Sequence, residues 1–421
     1  MAKGHHYIET RLRDLLAAAR LATPWPPDQH ARFEEVVRLI AAIFHYDTFA
    51  ALGRLKDLYD PLDPDREALS SASGAGAGAF AAFEHELEPI LNTANFEETG
   101  FDALGPRARA SVLGDLRVKA SDAGIRTIRF FSRGGHMKTI VQREWFGLRR
   151  KVVETEMLDD VVLIVAFRDQ SEIKPDDRRA LARMRRGVRP GAALVKLFTG
   201  VARNELIALH PGATPAMRTQ DQLFLGVPAL AGGVPLALQI VPAFSVLFAL
   251  IAAYFGASAV IDDSALKRAI AAISGVAAVG GFLMRQWMKY QRQSLIYQKR
   301  LADTVYYRNL ANNHGVIATL ISAAEEQDVK EAALAYWALL AAGAPMSKNA
   351  IDEAVEKFLR TQCKLDIDFE IYDALRKLEK LRLVEMEGDA YRAVATDEAL
   401  ARLDEAWDGL FQFTRAKNSD A

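Results

Sequence analysis

Forty consecutive residues, Gln222 to Ile261, carry no charge and lie between Asp221 and Asp262. A helix needs only about 20 residues to cross ~30 Å of hydrocarbon, so the run is too long for one straight span. Pro228, Pro235 and Pro242 divide it, and Gly226, Gly232 and Gly233 lie around the first two. Proline removes a backbone donor and crowds the preceding turn, so it breaks or kinks a helix. The pattern predicts a broken apolar segment at 223–235, lying at or just beneath the membrane interface. A first span follows at 236–257, with Tyr254 and Phe255 placed for an aromatic belt. A second uncharged run, Ala269 to Met284, is preceded by Lys267 and Arg268 and followed by Arg285 and Lys289. Basic side chains that snorkel extend it to a second span at about 267–286, with Trp287 as an anchor. Its small residues, Ser274, Gly275, Ala278, Gly280 and Gly281, let another helix approach closely. The short link Ser258–Leu266 makes the pair a transmembrane helical hairpin. The plainer competitor is a buried hairpin of a soluble protein, and the length of the uncharged run argues against it.

Lys and Arg near the spans set the orientation. Arg189, Lys196, Arg203 and Arg218 approach the first span, and Arg285, Lys289, Arg292, Lys299 and Arg300 leave the second. The link carries only Lys267 and Arg268, so both termini are expected on the cytoplasmic or equivalent side. The start, Met1 to Arg13, has no apolar run and reads neither as a secretory signal nor as a transit peptide. The expected location is a membrane: a bacterial inner membrane, or the mitochondrial inner membrane in a eukaryote.

The remaining sequence divides into soluble regions, giving an α+β membrane protein. Residues 1–115 are predicted as an N-terminal helical region. Ile8, Leu12, Leu15, Leu16 and Ala19 share one helix face, and Pro24, Pro26 and Pro27 interrupt. A second helix is expected from Gln29 to His45, with Phe33, Val36, Val37, Ile40, Ile43 and Phe44 inward. A third ends near Tyr59, where Tyr59-Asp60-Pro61-Leu62-Asp63-Pro64-Asp65 stops it. Ser70 to Gly78 is low-complexity and reads as a joint. It lacks the Gly-Lys-Ser/Thr ending of a phosphate loop. Helix is expected again over 80–114. Residues 116–220 are predicted as a small antiparallel β-sheet region with a basic juxtamembrane helix at 176–186. Its strands are Thr127–Phe131, Thr139–Phe146, Lys151–Glu156 and Val161–Phe167, with a hairpin turn at Phe131-Ser132-Arg133-Gly134-Gly135. Residues 221–290 hold the hairpin. Residues 291–421 are predicted as a helical and winged-helix-like C-terminal domain, after a polar helix through 286–313. Lys330–Leu340 is its first helix, Ser347 caps a second through Leu359, and a third starts at Asp368 or Phe369. Leu383–Glu387 and Ala390–Val394 form the wing. The third helix mixes Arg376, Lys377, Lys380 and Arg382 with Asp368, Glu370, Asp373 and Glu379, which favours protein contact over DNA.

The chemistry-bearing residues are sparse. Lys and Arg number 53 against 54 Asp and Glu, a net charge of −1 that argues against nucleic acid as a partner. Cys363 is alone, so no intramolecular disulfide forms. His5, His6, His30, His45, His85, His136, His210 and His314 show no metal-ligand spacing. No nucleophile elbow or dinucleotide fingerprint is present, so no catalytic, cofactor-binding or metal residue is assigned and no cofactor is expected. Gln239, with Ser245 nearby, is the strongly polar side chain of the first span.

One further signal comes from residues 194–238, LVKLFTGVARNELIALHPGATPAMRTQDQLFLGVPALAGGVPLAL. With Leu58-Tyr59-Asp60-Pro61, Ala94-Asn95-Phe96-Glu97, the Phe131/Arg133-Gly134 turn and Tyr306 to Val316, this stretch resembles domain-of-unknown-function family 3754. That family includes transmembrane protein 143 of animal mitochondria. The Gly-Val-Pro-Ala-Leu-x-Gly-Gly-Val-Pro pattern at 226–235 is the most specific part, and Val201-Ala202 stands where Ile-Pro is usual. The resemblance implies two membrane spans and no established activity. The expected function is a non-enzymatic scaffold or adaptor, with membrane lipids and a protein partner or self-association. The competing readings are a membrane-associated enzyme or lipid-handling protein, and a small oligomeric channel lined by Gln239 and Ser245.

Overall fold

The computed structural model describes residues 6–65, 77–100, 110–113, 116–144, 149–178, 182, 188–216, 248, 251–252, 254–255 and 263–410. It is a mixed α+β chain with antiparallel sheets. Contacts divide it into two units: residues 1–103, 122–203 and 308–421, and residues 104–121 with 204–307.

The first unit is built on two long helices. The chain opens with α1 (Leu12–Ala22) and α2 (Pro27–Tyr59). Pro26 and Pro27 sit at the cap and first turn of α2, where a missing N–H costs nothing. The residues expected to face inward, Phe33, Val36, Val37, Ile40, Ile43 and Phe44, are all buried. The two helices expected between Gln29 and Tyr59 are one continuous helix, because no proline or cap interrupts the stretch and packing along its length rewards continuity. Pro27–Leu62 is long and apolar enough to cross a membrane; Phe33, Ile40, Phe44, Leu55 and Tyr59 pack into the protein's own core, whereas Tyr46 and Phe49 are exposed.

After α3 (Ala77–Thr93) the chain turns extended. Strands β1 (Glu97–Glu98) and β2 (Ala110–Leu113) stand where helix was expected over 80–114. Then come β3 (Leu116–Lys119), β4 (Ile125–Arg133), β5 (His136–Glu144), β6 (Arg149–Phe167) and β7 (Ala193–Ala202). The two strands expected at 151–156 and 161–167 are one, β6. Strands β4 and β5 both pair antiparallel with it, and the register runs unbroken from Arg133↔Asp160 to His136↔Met157. Gly134 and Gly135 are therefore a joint within one long strand, not the hairpin turn expected there. Gly134 has φ +62°, and a Cβ there would meet Asp159 Oδ2 at 2.2 Å, so glycine is required on both counts. The sheet runs β1-β4-β6-β7-β9, where β9 (Asn309–Asn312) replaces the end of the polar helix expected through 313. Val162, Ile164 and Ala166 on β6, and Ala193, Val195 and Leu197 on β7, alternate onto one face. They pack against α3, the end of α2 and the start of α5 (His314–Ala342).

Helix α5 continues without a break into a second core with α1 and α2. Gly343, in the left-handed conformation, ends it and donates its N–H to Leu339 O at 3.3 Å. Beyond lie β10 (Met346–Ser347), α6 (Lys348–Phe358), α7 (Ile371–Lys380), β11 (Val384–Glu387), β12 (Ala390–Ala393) and α8 (Thr396–Asp408). Strand β12 lies between β10 and β11. Ser347 caps α6, its Oγ accepting from Ala350 N at 3.3 Å.

The second unit contains the sheet β2-β3-β8 (β8, Thr214–Ala216) and the helix α4 (Asp263–Arg308). Residues 267–286, expected as the second span, lie inside α4. The broken segment 223–235 and the span 236–257 lie outside the described residues, but for a few positions between 248 and 255. The basic helix expected at 176–186 also falls largely outside them.

Candidate functional site

Within the first unit, the polar residues of the sequence resemblance collect into two knots. The first forms where α2 stops. Tyr59 ends the helix, and Asp60-Pro61-Leu62 make a 3₁₀ turn. The Tyr59 ring is fully buried, edge-on to His314 at 5.1 Å and 5.2 Å from Phe83. Its hydroxyl lies 2.9 Å from both Ala193 O and Asn313 Oδ1, so one proton is shared between two acceptors. Asn313 Oδ1 also accepts from Val195 N at 3.4 Å, and its Nδ2 donates to Asp65 Oδ2 at 2.8 Å. The Asn313 N–H donates to Val195 O at 2.7 Å. Each polar group of the Asn313 side chain is thus engaged. Its backbone has φ 51° and ψ −122°, a region seldom occupied by a residue with a Cβ. Asn313 spends this strain to leave β9, start α5 and hold the turn after α2 at once. His314 Nε2 sits 3.3 Å from Asp63 Oδ2, and Arg189 donates to Pro61 O. Burial, with Asp63 and Asp65 nearby, pushes the Tyr59 phenol well above the tyrosine range.

The second knot centres on Arg133 at the end of β4. Its Nε and Nη2 donate to Asp160 Oδ2 at 2.9 and 2.7 Å across the β4–β6 pair, and Nη1 donates to Ala94 O at 3.2 Å. The guanidinium lies 4.4 Å from the Tyr7 ring centroid and 4.6 Å from that of Phe96. The adjoining N-terminal segment is clamped residue by residue. Asn95 Nδ2 donates to His6 O at 3.2 Å. Ile8 N–H donates to Gln327 Oε1 at 3.3 Å, and Ile8 O accepts from Gln327 Nε2 at 3.1 Å and Lys330 Nζ at 3.0 Å. Lys330 is buried and also pairs with Glu326 at 2.9 Å. Desolvation lowers its pKa.

A third cluster joins α5 to α7. Asp328, Glu331 and Asp373 are, among the described residues, the one acidic group with metal-ligand spacing. The ammonium of Lys377 already fills it, 3.0 Å from Glu331 and 2.5 Å from Asp373, with Asp328 also bonded. Lys377 serves all three carboxylates and Arg376 also pairs with Asp373, which leaves negative charge in surplus by one. Burial pushes Glu331 up to about 7 and raises Asp328 as well, with Lys377 opposing in both.

These arrangements hold backbone and pair charges. In each, the polar atoms named point at one another and at main-chain groups. Local sequence reasoning assigned none of these residues a role, since tertiary polar clusters leave no periodic signal. The signal that found Tyr59, Arg133, Asn313 and His314 is the family resemblance. No solved structure matches the chain. Residues 158–315, which run from the middle of β6 to the first turn of α5 and include Asn313 and His314, match the model of a family described as Protein of unknown function (DUF3754).

Proposed function

We propose that this chain is a non-enzymatic membrane scaffold, anchored by a hairpin of spans at about 236–257 and 267–286, with both termini on the cytoplasmic or equivalent side. The likeness of residues 226–235 to the family of transmembrane protein 143 supports the anchor. So does α4, where Ile270, Met284, Trp287 and Met288 are large, apolar and exposed along one continuous helix. The succession α5, β10, α6, α7 and the β11–β12 hairpin supports a winged-helix-like reading of the C-terminal region. The observation that carries protein contact over nucleic-acid reading is the state of the basic residues on α7 and just after it. Arg376 pairs with Asp373, Lys377 with three carboxylates, Lys380 with Asp47 at 2.8 Å, and Arg382 with Glu405 at 2.7 Å. A reading helix presents such side chains outward to base edges and phosphates. Here Tyr372 and Met386 stand exposed instead, with Lys348 5.0 Å from the Tyr372 ring centroid.

The full chain should stay with membranes through an alkaline carbonate wash and leave only in detergent. A chain lacking 223–285 should not be retained. Full-length protein in the carbonate supernatant overturns the anchor. A salt-sensitive shift of duplex DNA by the detergent-solubilised chain, abolished by K380A/R382A, overturns the protein-contact reading.

A further inference from the structure

Many of the basic residues described in this protein pair with acids of the same chain. Arg129 alone meets Glu84, Glu88 and Glu98, and Arg402 meets Glu385 and Glu398. Helix α4 departs from this. Between Met284 and Asp303 its sequence has Arg285, Lys289, Arg292, Lys299 and Arg300 and no Asp or Glu. Arg285, Lys289, Arg292 and Lys299 are exposed, and among the described residues none of them forms an ion pair. Because α4 is one helix from Asp263 to Arg308, these four positions fall on one face, within an arc of about 80° at 100° per residue. Trp287 projects from the far side of that arc and is exposed.

We infer that this face of α4 binds the phosphate layer of an anionic bilayer, in a graded way set by distance from the membrane. The inference rests on the membrane reading above. The uncharged run 269–284 ends one residue before the stripe begins, so the same helix that enters hydrocarbon delivers the charges to its edge. At 1.5 Å per residue, Arg285, Lys289 and Arg292 lie within about 12 Å of Met284 along the axis, and Lys299 lies about 22 Å away. The headgroup layer is about 5–8 Å deep. Screening extends electrostatic reach by a further ~8–10 Å at physiological salt. The first three residues are within range of lipid phosphate, and Lys299 is at the margin. Arginine forks phosphate oxygens through two donors, which suits positions 285 and 292 nearest the layer.

The test uses the full chain reconstituted into phosphatidylcholine vesicles, with and without phosphatidylglycerol. Spin-labelled forms of the two lipids report which one the protein surface selects. The wild type is expected to select phosphatidylglycerol severalfold, less so as salt is raised. R285Q/K289Q/R292Q should bring that selectivity down to near none, given the worth of each basic residue near an anionic surface. K299Q should keep most of it. Equal selectivity in the wild type and the triple variant overturns the inference. So does loss in K299Q as complete as in the triple variant, which would mean the helix lies along the surface. A stripe-dependent shift of a nucleic-acid probe without lipid selectivity overturns it too. Failure of the wild type to enter either vesicle is a different result and removes the membrane reading itself.

Discussion

Asn313 is the residue on which most separate elements depend, because one side chain serves the end of α2, strand β7 and the turn at Asp65. Asn313→Ala is expected to cost about 2–3 kcal/mol, since it strands the buried Val195 amide and takes the donor from Asp65 while keeping the strained φ. Asn313→Gly relieves the strain and loses the same bonds. Denaturant unfolding of the solubilised chain separates the two causes. If bonds dominate, both variants fall together; if strain dominates, the glycine variant stays near wild type. Tyr59→Phe should cost about 1 kcal/mol, because the shape is kept and a single hydroxyl is lost. Gly134→Ala meets both a positive φ and the Asp159 carboxylate, and should cost at least about 1–2 kcal/mol by the same measurement.

Between elements, the contact of α5 with α7 should respond to pH through Glu331. Its carboxyl is raised from 4.5 to about 7 chiefly by burial, so the folded protein holds a proton that the unfolded chain releases. Folded-state proton excess makes stability fall as pH rises from about 4.5 to about 7, and level off above. Lys377, raised rather than lowered, stays charged throughout that window. Glu331→Gln has nothing to titrate, so its stability relative to wild type should rise between pH 5 and 7.5. Melting curves that run parallel across this range would exclude the mechanism. The elements were unequally readable. The buried face of α2 and the Ser347 cap follow from spacing and capping chemistry alone. The continuity of α2 and β6 does not, because charged residues such as Asp47 and Asp159 look like boundaries until packing on both sides is known. Strand β9, Asn-Leu-Ala-Asn, has little strand propensity and is extended because β7 offers it an edge. The three polar clusters join residues up to about 320 positions apart, a relation that local pattern does not encode.

At the scale of the molecule, the two cores of the first unit are not independent, because α2 and α5 each enter both. They should unfold in one transition, and hydrogen exchange along α2 should show no step between Phe44 and Leu55. A chain ending at Arg308 lacks α5 and should yield no protected α2 at all; protection in that fragment would refute the shared-core account. The consequence extends to biosynthesis. The ribosome makes α2 early and α5 about 280 residues later, which at ~5–20 residues per second is an interval of some tens of seconds. During that time Phe33, Ile40 and Tyr59 lack the cover of α5, and the uncharged stretch at 222–261 is translated in between. If that stretch is the proposed anchor, it is inserted before the soluble part can close, and the first half of the nascent chain needs shelter while it waits.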